Sequence, residues 1–357
     1  MEIPHIGTLA AGPRDAITDV GDVTVGHCTL AQQDLQTGVT VVRPHAGDPY
    51  RDQVPAAAVV INGFGKSIGL LQVAELGVLD TPIALTNTYS VAAVAQAQIR
   101  ECIAANPEAG RALPTVNPLV FECNDGFLSD IQRMAVGEQH YRQALAACAA
   151  DFDQGAVGAG RGMSCFELKG GIGSASRMAG GFTVGALVLA NFGKLPQLVV
   201  AGNPVGRRLA AEPGGASTGS ARTDQDAEKG SIILLLATDA PLDARQLRRL
   251  ALRAGAGLAR TGSVFGHGSG DIALAFSTAY TVPQRPERAM PAIAMLHETC
   301  LDHLFQGAAD SCEQAILHAL WRAVPVTGRA GHRREALGEL MADWTPDQVR
   351  GWPRDPA

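Results

Sequence analysis

Several segments of this chain are apolar at consecutive positions, and this feature restricts its fold more than any other. The clearest are FTVGALVLANFG (182–193), SIILLLAT (231–238) and DIALAFSTA (271–279). Short apolar runs rich in β-branched residues predict strands, and a run without polar alternation predicts a strand covered on both faces. We therefore expect these strands inside the protein, with other elements packed on each side.

Turn residues and helical spacing predict the remaining elements. Further strands are expected at DVTVGH (22–27), GVTVVRP (38–44), AAAVVINGFG (56–65), TPIALTNTYSV (81–91) and QLVVAGNPVG (197–206). Apolar residues recur at helical spacing at 94–107, 131–150, 245–260, near 290–306 and at 309–323. Strands and helices alternate without a strict βαβ order, and 357 residues allow one large α/β unit or two smaller ones.

Charge and composition exclude several classes of function. The net charge is −6, so neither nucleic acid nor an anionic membrane is expected as a partner. The arginines at 245–260 lie opposite leucines at helical spacing, which indicates the solvated face of a helix. No run of about 18 apolar residues predicts a membrane span. The first 15 residues lack the pattern of a secretory signal, and seven scattered cysteines without a CxxC pair favour the reducing cytoplasm.

Several motif matches fail on their context. NGFGKS (62–67) would need a glycine at position 60 to form a phosphate loop, and that residue is Val60. The glycines of GAVGAGRG (155–162) are more typical of tight turns than of a nucleotide site. GASTG (215–219) has the letters of a serine nucleophile elbow but lies in a polar segment. The histidines form no ligand-spaced cluster, so we predict neither a metal nor a cofactor.

The join between Gly230 and Ser231 is the strongest local signal for chemistry. Residues 207–230 are rich in Gly, Ser, Thr and charge and predict a mobile loop, which runs directly into the apolar strand at Ser231. Cleavage between the two residues would give Ser231 a free amine that could act as the base for its own hydroxyl. The cut could be made by Ser231 itself, through attack on the Gly230 carbonyl, an acyl shift from nitrogen to oxygen, and hydrolysis of the ester. On local sequence alone, a turn glycine before a strand fits equally well.

A family resemblance over nearly the whole chain favours the self-cleavage interpretation. The segments that carry it are DAITDVGDVTVGH (15–27), FECNDGFLSD (121–130), GAVGAGRGMSCFELKGGIGSASR (155–177), FTVGALVLANFG (182–193), KGSIILLLATDAPL (229–242) and SGDIALAFSTA (269–279). In this order they resemble the DmpA family of L-aminopeptidase/D-esterases and β-peptidyl aminopeptidases. The resemblance implies one four-layer αββα sandwich over 1–357, cut into an α chain (1–230) and a β chain (231–357).

The resemblance also implies roles for individual residues. Ser231 corresponds to the nucleophile that autocleavage after Gly230 releases, and Asn191 to the asparagine that stabilises the oxyanion. Ser269 and Asp271, two apart on one strand face, correspond to groups that relay protons beside Ser231, with Asp where some relatives have Glu. Glu122 corresponds to the acid that holds the free amine of the substrate.

One position departs from the family pattern. Lys66 stands where relatives are expected to have an acid, so we expect the charge of the substrate contacts near 62–67 to differ in sign. Asn62, Gly63 and Thr86–Asn87 are expected to shape the floor of the pocket, without a chemical role.

The expected function is that of a self-processing serine aminopeptidase acting on short peptides, amides or esters with a free amine. The family further implies a homo-oligomer of αβ heterodimers. Two alternatives stay open on the sequence. An ornithine acetyltransferase would share the architecture and the autocleavage but uses Thr after the cut. An uncleaved, non-enzymatic binding protein would carry the Gly–Ser pair only as a turn.

Overall fold

Two β-sheets lie face to face in the protein, and helices cover the outer face of each. The computed structural model of the chain describes residues 3–211, 230–293 and 295–344. The strands of these residues, in chain order, are β1 Thr24–Gln32, β2 Leu35–Arg43, β3 Asp52–Gly63, β4 Val78–Leu79, β5 Ile83–Asn87, β6 Val120–Cys123, β7 Ser164–Cys165, β8 Leu168–Lys169, β9 Gly171–Ala179, β10 Phe182–Asn191, β11 Ser231–Thr238, β12 Gly270–Ser277, β13 Val282–Pro283, β14 Val326–Thr327 and β15 Arg333–Arg334.

The α-helices connect and cover these strands. Those of the described residues are α1 Leu70–Leu76, α2 Val91–Ala105, α3 Glu138–Ala146, α4 Val205–Ala211, α5 Ala244–Arg260, α6 Leu301–Trp321 and α7 Leu337–Leu340. The predicted Arg-rich helix is confirmed as α5, and its leucines 247, 250 and 258 are buried. No helix in the described part of the chain combines the length and the apolar character needed to cross a bilayer.

Strand order places the most apolar strands in the middle of the larger sheet. Its order is β13-β3-β12-β11-β10-β9, with β4 also paired to β3, and the smaller sheet has the order β1-β2-β5-β6. Neighbouring strands are antiparallel except β11 with β12 and β5 with β6, which are parallel. β11 therefore has a hydrogen-bonded neighbour on each side and is buried at every position.

Side-chain alternation along the strands builds a separate core on each face of the larger sheet. Ile233 lies in the core between the two sheets, together with Phe121 of the smaller sheet. The next residue, Leu234, lies in the core that the larger sheet forms with the helices, together with Leu250 of α5. Val94 of α2 belongs to a third core on the outer face of the smaller sheet. The layers are thus helix, sheet, sheet and helix, and the predicted αββα sandwich is confirmed.

Three predicted elements differ in the structure. The segment QLVVAGNPVG is not a strand: it holds a 3-10 turn, an isolated bridge and the start of α4, because its apolar residues are buried in a loop interrupted by Gly202 and Pro204. The predicted helix at 131–150 is shorter, since α3 covers only Glu138–Ala146. The two helices predicted near 290–306 and at 309–323 are one helix, Leu301–Trp321. Gly307 does not end it, because that glycine lets the helix approach Ala179 and Val184.

The predicted mobile loop lies largely outside the described residues. Of the loop predicted at 207–230, residues 207–211 instead belong to helix α4, where Leu209 packs into the core, and 212–229 are not described.

Candidate active site

Three strand ends meet at Ser231. It is the first residue of β11, and the sheet register pairs it with Asn191, the last residue of β10, and with Gly270, the first residue of β12. All three residues are buried. The register therefore brings together Ser231 and Asn191, which are 40 positions apart in the sequence.

The Ser231 hydroxyl lies against the peptide bond that precedes it. Its Oγ donates to the Gly230 carbonyl oxygen over 2.6 Å and accepts from the Gly270 N–H over 3.2 Å. The same N–H is 3.3 Å from the Gly230 carbonyl oxygen. One backbone donor thus contacts both the hydroxyl and the carbonyl oxygen of the bond between Gly230 and Ser231.

Gly230 is needed at this join for a steric reason. A Cβ at position 230 would lie 2.7 Å from the Cα of Phe192 and 2.8 Å from the carbonyl oxygen of Asn191. Both neighbours are backbone atoms, which cannot rotate away as a side chain can. Any larger residue would therefore displace Ser231 from β10.

Hydrogen bonds at both ends hold the Asn191 side chain. Its Oδ1 accepts from the Ser164 N–H over 2.8 Å, and its Nδ2 donates to the Asn124 carbonyl oxygen over 3.0 Å. These contacts determine which end of the amide is the donor. Asn191 Nδ2 carries two hydrogens, and one of them is donated to the Asn124 carbonyl oxygen.

A buried lysine supports the segment that orients Asn191. The Lys169 ammonium is fully buried and donates to the carbonyl oxygens of Gly160 (2.9 Å), Met163 (2.8 Å) and Gly170 (2.7 Å). Burial lowers its pKa well below the usual range, whereas three acceptors match the three hydrogens of the charged form. Because Ser164 directly follows Met163, Lys169 helps to fix the Ser164 N–H that donates to Asn191 Oδ1.

Ser269 and Asp271 form a buried pair on either side of Gly270. The Ser269 hydroxyl donates to Asp271 Oδ1 over 2.5 Å. Along the strands, Asp271 shares the face of Ala273, which belongs to the core with the helices, whereas Ser231 shares the face of Ile233 in the core between the sheets. The Asp271 side chain therefore lies on the face of the sheet opposite to the Ser231 hydroxyl.

Glu122 of β6 faces the start of β12 across a short segment. Its Oε1 accepts from the Lys66 N–H over 2.8 Å, and its Oε2 accepts from the Thr88 hydroxyl. A Cβ at Gly65 would be 3.7 Å from both Glu122 Oε1 and the Cα of Gly270. The carboxylate thus lies near the strand ends where Ser231 is found.

The residues expected in the pocket floor have structural contacts. Asn62 donates to the carbonyl oxygens of Gly266, over 2.8 Å, and of Ser269, so it ties the end of β3 to the segment before β12. The Thr86 hydroxyl donates to the Gly38 carbonyl oxygen. Asn87 donates to Asp125 Oδ2 over 3.2 Å and to the Thr37 hydroxyl.

Two charged residues near the site were missed by the sequence analysis. One is Lys169, and its available signal was a single lysine inside an otherwise apolar and glycine-rich run. The other is Asp125, whose pKa burial raises to about 7 although Thr37 and Asn87 hydrogen-bond to it. Asp125 had no signal beyond its place in FECNDG, where it looks like a turn residue. In the described residues no group of three or more His, Cys, Asp and Glu side chains is arranged for a metal ion.

A comparison with known protein families identifies the family of this chain. The sequence model of peptidase family S58 matches residues 15–334 of the chain. The chain belongs to peptidase family S58. The resemblance to the DmpA aminopeptidases is thereby confirmed, and the protein is a peptide hydrolase.

Relatives of this S58 peptidase are similar over almost their full length. A β-peptidyl aminopeptidase of Sphingosinicella microcystinivorans is 37% identical over 363 aligned residues, which cover 96% of this chain and 90% of that protein. The structure of a β-aminopeptidase from Burkholderia sp. is 41% identical with a TM-score of 0.88, covering 98% of each chain. That of the L-aminopeptidase D-Ala-esterase/amidase of Ochrobactrum anthropi, described as a variant of the Ntn hydrolase fold, is 34% identical with a TM-score of 0.84, covering 95% of each. These relatives support an aminopeptidase.

Proposed function

We propose that this S58 peptidase is a self-processing serine aminopeptidase that releases N-terminal residues from short peptides, amides and esters through Ser231. The observation that carries the proposal is the contact between the Ser231 hydroxyl and the Gly230 carbonyl oxygen, both bonded to the Gly270 N–H. A serine at the start of a buried strand is thereby held against the bond that self-cleavage must break.

Self-cleavage begins with attack of Ser231 Oγ on the Gly230 carbonyl carbon. The C–O bond forms, the C–N bond to Ser231 breaks, and its nitrogen takes up the hydroxyl proton. Water then hydrolyses the ester, which leaves a carboxylate on Gly230 and a free amine on Ser231. Negative charge develops on the Gly230 oxygen during the attack, and the Gly270 N–H is a preformed donor to it.

In turnover, the new amine of Ser231 accepts the proton of its own hydroxyl. An α-amine has an unperturbed pKa of about 7.7–8.0, so part of it is neutral near pH 7. The Ser269–Asp271 pair flanks Gly270, the strand partner of Ser231, and its role in this scheme is to receive and return this proton. The Asn191 amide, fixed by Ser164 and Asn124, donates to the oxyanion of the substrate.

Glu122 gives the reaction its requirement for an N-terminal residue. Its carboxylate is buried near the start of β12 and accepts from two fixed donors, Lys66 N–H and the Thr88 hydroxyl. An ammonium group is the ligand that such a carboxylate binds most strongly. A peptide bound by its free amine presents its first peptide bond to Ser231.

The proposal also covers location and assembly. The seven cysteines form no disulfide in the described part of the chain, which supports a reducing cytoplasm. The net charge of −6 supports small peptides rather than nucleic acid as partners. Assembly of αβ pairs into a homo-oligomer rests on analogy with the family.

Intact-mass analysis combined with an activity panel tests the proposal. Purified protein should give two chains, 1–230 and 231–357, and should hydrolyse aminoacyl p-nitroanilides with a free amine but not their N-acetylated forms. A single full-length chain with activity would contradict Ser231 as the N-terminal nucleophile. Two chains that transfer an acyl group only to an added amine would indicate a transferase instead.

A further inference from the structure

The rim of the site carries one lysine that contacts it in two ways. The main-chain N–H of Lys66 donates to Glu122 Oε1 over 2.8 Å, and its ammonium nitrogen lies 4.2 Å from the centroid of the Phe64 ring. Lys66 itself is exposed. Lys66 is therefore anchored by its main chain beside the group proposed to bind the substrate amine, and its charge stays accessible to a ligand.

The Phe64 ring shows which way this charge points. The Phe64 N–H donates to the Ser269 carbonyl oxygen over 3.3 Å, and its ring centroid is 6.2 Å from that of His267. The Lys66 side chain thus turns back toward the segment that leads into β12 and the Ser231 site. The ammonium therefore lies over a ring that is itself beside the segment leading into β12.

Two exposed aromatic rings belong to the two segments that donate hydrogen bonds to Glu122. Phe64 is 53% exposed and Tyr89 is 54% exposed, and no other Phe, Tyr or Trp side chain in the described part of the chain is as exposed. Phe64 lies two residues before Lys66, and Tyr89 follows Thr88, whose hydroxyl donates to Glu122 Oε2. Apolar rings left open to solvent provide contact surface for a ligand with an apolar body.

The charges around the site make the lysine significant for a peptide substrate. Glu122 and Asp271 are carboxylates, and a short peptide with a free C-terminus would bring a third. The amine and the C-terminus of an extended dipeptide are about 7 Å apart. An amine bound at Glu122 therefore leaves the C-terminus within reach of a long lysine side chain whose main-chain N–H contacts the same carboxylate. Without a cation at the rim, the carboxylates of the site would repel that terminus.

We propose that Lys66 binds the C-terminal carboxylate of the substrate, so that the enzyme prefers dipeptides with a free carboxylate to their C-terminal amides. This inference rests on the proposed aminopeptidase function. Phe64 and Tyr89 contact the apolar part of the same dipeptide. Because Lys66 is exposed, its effect on kcat/KM is about two- to fivefold, decreases with salt and falls mainly on KM.

The test compares one substrate pair in the wild type and three variants. Values of kcat/KM for leucyl-glycine and leucyl-glycine amide are measured in the wild type, Lys66→Met, Lys66→Arg and Arg14→Met, at low and high salt. The Met variant keeps the main-chain N–H that Glu122 accepts. Lys66→Met should lower the acid-to-amide ratio of kcat/KM about two- to fivefold, because it loses rate on the acid alone. Lys66→Arg keeps the charge, and Arg14→Met removes an exposed charge elsewhere, so both should keep the ratio.

The outcomes separate this inference from the proposed function. An unchanged ratio in Lys66→Met, or an equal loss on acid and amide, overturns the role of Lys66 while the aminopeptidase stands. A wild-type acid-to-amide ratio of kcat/KM that does not change with salt also overturns the role of Lys66. Failure of the cleaved wild type to hydrolyse either substrate overturns both.

Discussion

The inner wall and the rim of the site are built in opposite ways. The inner wall, residues 160–170 with Asn191, is mostly buried, and its polar groups bond to one another or to backbone carbonyls. The rim, residues 62–66 with 264–269, exposes Phe64 and Lys66 to solvent, and its two segments are joined by hydrogen bonds from Asn62 to the carbonyl oxygens of Gly266 and Ser269.

This difference separates the chemistry from the choice of substrate. A buried polar group that loses its partner pays the full cost of desolvation, so the inner wall has only one workable arrangement. A charge at the rim is screened by water and ions and contributes little to stability. The inner wall is therefore suited to hold the reacting groups, and the rim can change with the substrate. The predictions below test this contrast, from the largest effect to the smallest.

Ser231→Ala should abolish both cleavage and turnover. Without the hydroxyl there is no nucleophile for the Gly230 carbonyl or for a substrate, so the product is one full-length chain with kcat lowered by at least about 10⁴-fold. Intact mass and a p-nitroanilide assay measure the two effects. Appearance of the 231–357 fragment in this variant would show that another group makes the cut.

Asn191→Ala should leave a folded protein with little activity. Loss of one oxyanion donor lowers kcat by about 10²–10³-fold. Circular dichroism checks the fold, and Lys66→Met serves as the rim control, with kcat on leucyl-glycine amide close to that of the wild type. If kcat of Asn191→Ala stays within a few-fold of the wild type, Asn191 does not stabilise the transition state.

The same substitution at two lysines compares the stability of the regions directly. Lys169→Met leaves three buried carbonyl oxygens without their donor and should lower the free energy of unfolding by about 3 kcal/mol or more. Lys66→Met should change it by less than about 0.5 kcal/mol. Urea denaturation measures both. Equal effects would mean that the buried hydrogen bonds of Lys169 add nothing to stability.

Asp125 should make stability depend on pH. Burial raises its pKa from 3.8 to about 7, with Glu122 adding repulsion, and Lys169 is the nearby opposing charge. The folded state then binds this proton more tightly than the unfolded state, so its contribution to stability is full below about pH 4 and is lost as the pH rises through about 7. The difference in unfolding free energy between the wild type and Asp125→Asn should change across this range, and a difference independent of pH would contradict the assignment.

The chain alone was sufficient for the family, the layers and the proposed catalytic residues. Continuous apolar runs such as 231–238 predicted strands buried on both faces, because only an interior strand can be apolar at every position. The segment QLVVAGNPVG, by contrast, was predicted as a strand and is not one, since a short apolar run is also compatible with a buried loop. Helix α6 was predicted in two pieces because Gly307 looks like a break, whereas packing against Ala179 and Val184 keeps it continuous.

The features that could be predicted from the chain lie within single segments: the strand runs, the Gly230–Ser231 join and the motifs that carry the family. The environments of Lys169 and Asp125 could not be predicted, because they form only when the chain folds. Their partners are backbone carbonyls and side chains from other segments, and no local pattern records which carbonyl oxygen a lysine will meet. Burial and hydrogen-bond satisfaction depend on atoms distant along the chain, so they exist only once the sheets have packed together.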